Sequence, residues 1–118
     1  MEKVYNLEER TANFSEAIID LVKQIKCDEV NKRIITQIVG SSGSVGANYC
    51  EATEAESKKD FIHKISIVKK ETKETRHWLR LLARSNPEFK ESIRLLWVES
   101  QELLLIFSKT IQTSKNSK

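Results

Sequence analysis

With 118 residues, a net charge of +3 and a mean hydropathy of −0.46, the chain has room for one domain around one core and not for two. Three glycines and a single proline, against an abundance of Leu, Ile, Lys, Glu, Ala and Ser, favour helices joined by short connections over a turn-rich β fold. No run of about 18 apolar residues is present to span a membrane, and the charged opening MEKVYNLEERT lacks the apolar centre of a secretion signal, so a cytoplasmic protein is expected.

Asn6 followed by Glu9 has the spacing of a capping box, with acids filling the first turn. Phe14, Ala17, Ile18, Leu21, Val22 and Ile25 then recur at helical period, which predicts a first helix over about 7–26. The charged break KCDEVN ends it. Val30, Ile34, Ile35, Ile38 and Val39 open the apolar face of a second helix, over about 30–55. Ser57 and Asp60 resemble the start signal of a third, over about 57–84. Asn86-Pro87 supplies a cap and a proline at the first helical position for a fourth, over about 87–113, with 114–118 as a frayed tail. No segment alternates at period two for long enough to be a strand. Four amphipathic helices in a single domain, 1–118, predict an all-α, antiparallel up-and-down four-helix bundle. Cys27 and Cys50 match no metal-ligand spacing; two reduced thiols are the expectation and a disulfide the alternative.

All three glycines fall in GSSGSVGANYC, residues 40–50. A phosphate-binding P-loop needs a lysine after its last glycine, and Ala47 stands there instead; a dinucleotide fingerprint needs a preceding strand and a different spacing. A linker is disfavoured too, because Ile38, Ser42, Val45, Tyr49 and Ala52 keep to one helical arc through the stretch. The predicted structure is a continuous helix. Gly40, Gly43 and Ala47 form a second stripe of small residues, which predicts close approach of another helix there. Interior glycines cost about 1 kcal/mol each, so tight packing is needed to offset them.

The motifs SVGANYCEA at 44–52, KETKET at 70–75 and WLRLL at 78–82 together resemble small bacterial four-helix-bundle proteins. These include the 23S rRNA intervening-sequence proteins and the accessory proteins of diversity-generating retroelements. The resemblance spans roughly residues 5–110. It implies a four-helix protomer, a ring-like homopentamer, no catalysis, and a role in binding nucleic acid. Its retroelement side implies a reverse transcriptase or another nucleic-acid enzyme as a partner.

Charge is unevenly spread along the chain. Residues 1–57 carry a net −4, residues 58–84 a net +6 and the remainder +1. On a helical wheel the third helix separates into three stripes. Phe61, Ile65, Val68, Thr72, Thr75, Leu79 and Leu82 form the core seam. Ile67, Glu71, Glu74, Trp78 and Leu81 form a second seam that mixes large apolar groups with two carboxylates. Lys69, Lys73, Arg76, Arg80 and Arg84 form a basic ridge. The fourth helix offers a wide core face of Phe89, Ile93, Leu96, Trp97, Leu103, Leu104, Phe107 and Ile111, with Leu95, Val98 and Leu105 on the other side. Such surplus apolar surface, placed beside the second seam, predicts self-association through helices three and four. The plainer alternative is a bundle that buries more than one face of each helix. The ridge, repeated around an oligomer, would hold phosphate backbones without reading bases, and few exposed aromatics are expected for stacking on unpaired bases. Its plain alternatives are a solvated helix face, or a surface for an acidic protein partner.

Catalysis and metal binding find little support. Glu74-x-x-His77 and Asp60-x-x-His63 have the ExxH-like spacing of di-iron bundles. Both lie on one helix about 21 Å apart, too far to share a metal pair. No catalytic residues, metal or cofactor are assigned. Glu51, Glu71 and Glu74 read as anchors that fix register, with Asn48 as a partner by residue type; Glu71→Gln is then expected to lower stability or disturb assembly.

Overall fold

Residues 6–117 are described by a computed structural model. Helix α1 spans Leu7–Val22, α2 Glu29–Thr53, α3 Lys58–Ser85 and α4 Lys90–Asn116, with one 3-10 turn, Pro87–Phe89, ahead of α4. Each helix packs on its neighbour in sequence, and α1 closes the bundle against α4. The result is the expected antiparallel four-helix bundle, 51 × 29 × 19 Å.

Local signals account for the starts. The Asn6 side chain accepts from the Glu9 amide at 3.1 Å, Asp28 from the Asn31 amide at 2.8 Å, and Ser57 from the Asp60 amide at 3.0 Å. The ends differ from expectation for physical reasons. Beyond Val22 the chain tightens into turns in which Gln24 donates to Leu21 and Ile25 to Val22, so the apolar period outlasts the α-helix and Ile25 stays buried. The segment expected to fray instead continues α4 to Asn116, and the Lys58 ammonium donates to the Ser117 carbonyl beyond it. Lys118 lies outside the described residues, as does the opening MEKVY.

Asn86 departs furthest from its expected role. It makes no side-chain cap for the turn that follows. Its amide points inward and pairs reciprocally with Asn31, donating at 2.8 Å and accepting at 2.9 Å. Asn31 also donates to the Lys26 carbonyl and accepts from Ser85, while Asn86 donates to the Leu82 carbonyl. Both residues are at most 3% exposed. This polar lock ties the α3–α4 turn to the start of α2.

The core is largely apolar, with the asparagine pair at one end and buried hydroxyls at its waist. Phe14 and Ile18 of α1, Ile38 and Val45 of α2, Ile65, Val68, Leu79 and Leu82 of α3, and Ile93, Leu103 and Phe107 of α4 are almost fully buried. Between them Ser41, Ser42, Thr72 and Thr75 are buried as well. Thr75 donates to Ser41 across the α2–α3 contact, and Thr72 donates to the Val68 carbonyl. Among the described residues no buried side-chain polar atom lacks a partner. On the outer side of α1, the Arg10 guanidinium makes a two-pronged pair with Glu99 of α4, at 2.7 and 2.8 Å, and reaches Glu102 at 2.9 Å.

Helix α2 runs unbroken through the glycine stretch, and its arc Ile38, Ser42, Val45 and Ala52 is buried, with Tyr49 half-buried against the Phe107 ring. The stripe expected to pack closely does not do so within the protomer. A Cβ at Gly40 or Gly43 would meet no atom within 4 Å, and Ala47 is exposed. The close approach is at Gly46, where a Cβ would lie 3.3 Å from the Thr11 hydroxyl of α1. Small size alone had defined the stripe, whereas the direction each residue faces decides which glycine matters. Gly40→Ala and Gly43→Ala are therefore expected to raise stability by about 0.5–1 kcal/mol each in urea unfolding, because they gain helix propensity at open positions. Gly46→Ala should gain less or lose, since Thr11 must give way. A larger gain at Gly46 than at Gly43 would reverse this assignment.

Candidate nucleic-acid interface

Helix α3 carries its basic ridge along the flank that faces α4. Lys73, Arg80 and Arg84 are exposed, and Lys69 and Arg76 are half-buried. From Lys69 to Arg84 the ridge runs about 22 Å at 1.5 Å per residue. Among the described residues no member of it takes part in an ion pair. Arg76 alone is engaged: it donates to Gln101 of α4 and its guanidinium lies 5.8 Å from the centre of the Trp97 ring. On the outward side, Lys69, Lys70, Lys73, Glu74 and His77 border a shallow groove of about 480 Å³.

The second seam of α3 lies on the opposite flank, toward α2. Ile67, Glu71, Glu74, Trp78 and Leu81 are all half-buried. Trp78 lines a groove with Lys32, Arg33, Ile34 and Gln37 of α2, and its indole donates to Glu74 at 3.1 Å. Leu95, Val98 and Leu105 sit on the outer face of α4, 74%, 43% and 71% exposed. The two apolar sets expected to lie side by side are thus on different faces, because α2 and α4 are diagonal in the bundle. The carboxylates also separate. Glu51 accepts from Lys64 at 3.2 Å and Glu74 from Trp78, but Asn48 donates to the Ser44 carbonyl and holds no carboxylate. Glu71 has no side-chain partner among the described residues, so the expected anchor is absent there. No three His, Cys, Asp or Glu side chains converge among the described residues, His63 and His77 are exposed, and both cysteines are free and exposed. No described helix is long and apolar enough to cross a membrane.

Four residues of this face escaped the sequence reading. Trp97, assigned there to the core, is 38% exposed at the α3–α4 rim. Lys90 and Arg94 line the same groove, and Lys70 widens the ridge. Their spacing, i, i+4 and i+7 from Lys90 to Trp97, places all three on one stripe of α4 and was the available signal.

Four helices, each packed on its neighbour in sequence and the first closing on the last, make a helical bundle of the up-and-down class with one basic flank on α3. The chain belongs to the 23S rRNA-intervening sequence protein family, whose model matches residues 4–109. It is similar to a crystal structure of a protein of unknown function from the S23 ribosomal protein family of Bacteroides thetaiotaomicron. The two share 32% identity and a TM-score of 0.76, over 88% of this chain and 96% of the other. No curated protein is a significant match.

Burial, followed by the nearby Glu74 carboxylate, raises the pKa of Glu71 above its ordinary value, and Lys70 lowers it by less. The folded chain therefore holds this proton to higher pH than the unfolded chain does. Its contribution to stability is full below the unfolded pKa and declines as pH rises through the raised folded value. Glu71→Gln should remove that decline. The melting-temperature difference between variant and wild type should shift in the variant's favour between about pH 4 and about pH 7. A constant difference, or one moving the other way, would restore an anchoring role.

Proposed function

We propose that the protein is a non-catalytic, homo-oligomeric binder of nucleic-acid backbone that works through the α3 ridge. The observation that carries this reading is the absence of any ion pair along the ridge among the described residues. Lys73, Arg80 and Arg84 are exposed and unpaired among the described residues, while Glu99 and Glu102 of α4 are engaged by Arg10 on the far side. Glu74 is the one acid lining the groove beside Lys69, Lys70 and Lys73, so cations outnumber it there, and phosphates are the partner that such a linear array of cations suits. At about 22 Å the ridge is long enough to meet several successive phosphates of one strand. The family's name, which ties it to intervening sequences of 23S rRNA, agrees with RNA as the polymer.

The assembly we propose is a ring, a pentamer by the resemblance of its motifs. Two unlike apolar faces on different sides of one protomer suit head-to-tail pairing, which closes into rings, better than a two-fold dimer in which one patch meets itself. Leu95 and Leu105 would meet the Trp78 seam of the next copy. Ridges repeated around such a ring would act together on one strand.

Arg80→Glu with Arg84→Glu should reduce the slope of log affinity against log salt by about 2 for each protomer in contact with the strand and weaken binding of any RNA sequence alike, with helical content unchanged. Unchanged RNA retention would remove the ridge; retention of an acidic protein in place of RNA would favour the alternative partner. Separately, wild type should sediment as a multiple of 13.6 kDa, and Leu105→Glu should shift it toward the single chain. A wild-type species at 13.6 kDa would remove the ring.

A further inference from the structure

Near the Asn86 turn, α3 and α4 leave a groove of about 300 Å³ between them. Leu79 and Ile93 form its apolar floor, the Trp97 indole one wall, and Arg80, Lys90 and Arg94 its rim. That volume is at the small end of ligand sites, enough for one flat ring and little more. The three rim cations are exposed, and none makes an ion pair or a side-chain hydrogen bond among the described residues. The indole, by contrast, has a cation beside it: the Arg76 guanidinium lies over it at 5.8 Å and itself donates to Gln101. An aromatic surface that is 38% exposed, above an apolar floor and ringed by free cations, matches the two halves of a nucleotide.

We propose that this groove takes one unpaired base of a single-stranded nucleic acid, stacked on Trp97, with the flanking phosphates on Arg80, Lys90 and Arg94. The proposal rests on the ridge reading and deepens it. The ridge follows the backbone of any strand, whereas the groove requires a base that is not held in a duplex. Stacking on an indole is sequence-tolerant, because every base has a π face. The preference conferred is therefore for strandedness and not for sequence. A duplex could touch the rim cations but would keep its bases from the indole.

The test compares three fluorescent probes on the full chain: an oligothymidylate of about ten nucleotides, an abasic strand with the same phosphates, and a duplex of equal length. Wild type should favour the oligothymidylate over the abasic strand by about tenfold, and Trp97→Ala should bind the two alike. Duplex binding should be the same in wild type and variant to within about twofold, since phosphate contacts carry it. Trp97→Phe, which keeps a ring, should retain part of the preference and guards against a folding defect in the alanine variant. The groove is overturned if the preference survives in Trp97→Ala, if wild type shows none, or if duplex binding falls in parallel. Salt-dependent duplex binding without any base preference would remove the groove and leave the ridge; no binding of any probe would remove both.

Discussion

The reciprocal amide pair between Asn31 and Asn86 sets the geometry on which the working face depends. Two side chains that satisfy each other's donors and acceptors in a buried site have one relative placement that works, and a slip of either helix leaves an unpaired amide. Such an orphan costs about 1–3 kcal/mol, a sizeable part of the stability of a domain this size. The pair is reinforced by Ser85 and by the carbonyls of Lys26 and Leu82, so the α3–α4 turn is held to the first turn of α2 from several directions. The start of α4 relative to the end of α3 is thereby fixed. That register brings Trp97 against Arg76, and Lys90 and Arg94 to the groove that Arg80 also lines.

Charge segregation follows from the same register. Helix α4 turns Glu99 and Glu102 toward α1, where Arg10 collects both, and turns Lys90, Arg94 and Gln101 toward α3. Two acids of α4 are therefore committed on the far side of the bundle, while Glu74 of α3 stays beside the ridge. If Arg10 were apolar, those carboxylates would have no cation of α1 to hold them, and the field of the ridge would be partly cancelled. An ion pair remote from the proposed contact surface thus helps to keep that surface positive.

The fold was largely legible because helix starts are local chemistry. Asn6 and Ser57 each accept the amide three residues on, as their spacing indicates. The core seam of α3 could be read from period alone, and Ile65, Val68, Thr72, Thr75, Leu79 and Leu82 are all buried. What period cannot convey is which flank of a wide apolar face stays wet. On α4 the apolar positions cover more than one side, and Trp97 ends at the rim because α3 takes the inner part of that face. Asn86 misled for a related reason: a cap and a buried cross-bundle amide use the same residue type, and only the three-dimensional neighbour Asn31 distinguishes them. The glycine stripe failed where residue size was taken to indicate contact. Gly46 touches Thr11 while Gly40 and Gly43 face open space, a difference of helical angle and not of composition.

Binding at a surface of this kind gains most from repetition. One ridge with a handful of cations, and one shallow groove with a single indole, would supply modest affinity at physiological salt, where screening cuts charge interactions off within about 8 Å. In the proposed ring the same face recurs at a fixed spacing. A strand held by one protomer is then presented to the next at high effective concentration, and avidity rises without any new contact. That arrangement places few demands on each site: no base needs to be read, and the rim cations need only to stay unpaired. It does demand that α3 and α4 keep their register in every copy, because a ridge displaced by one turn, about 5.4 Å, would no longer continue the path of its neighbour. In the proposed ring the buried asparagines would keep the outward cations of each copy in line with those of the next.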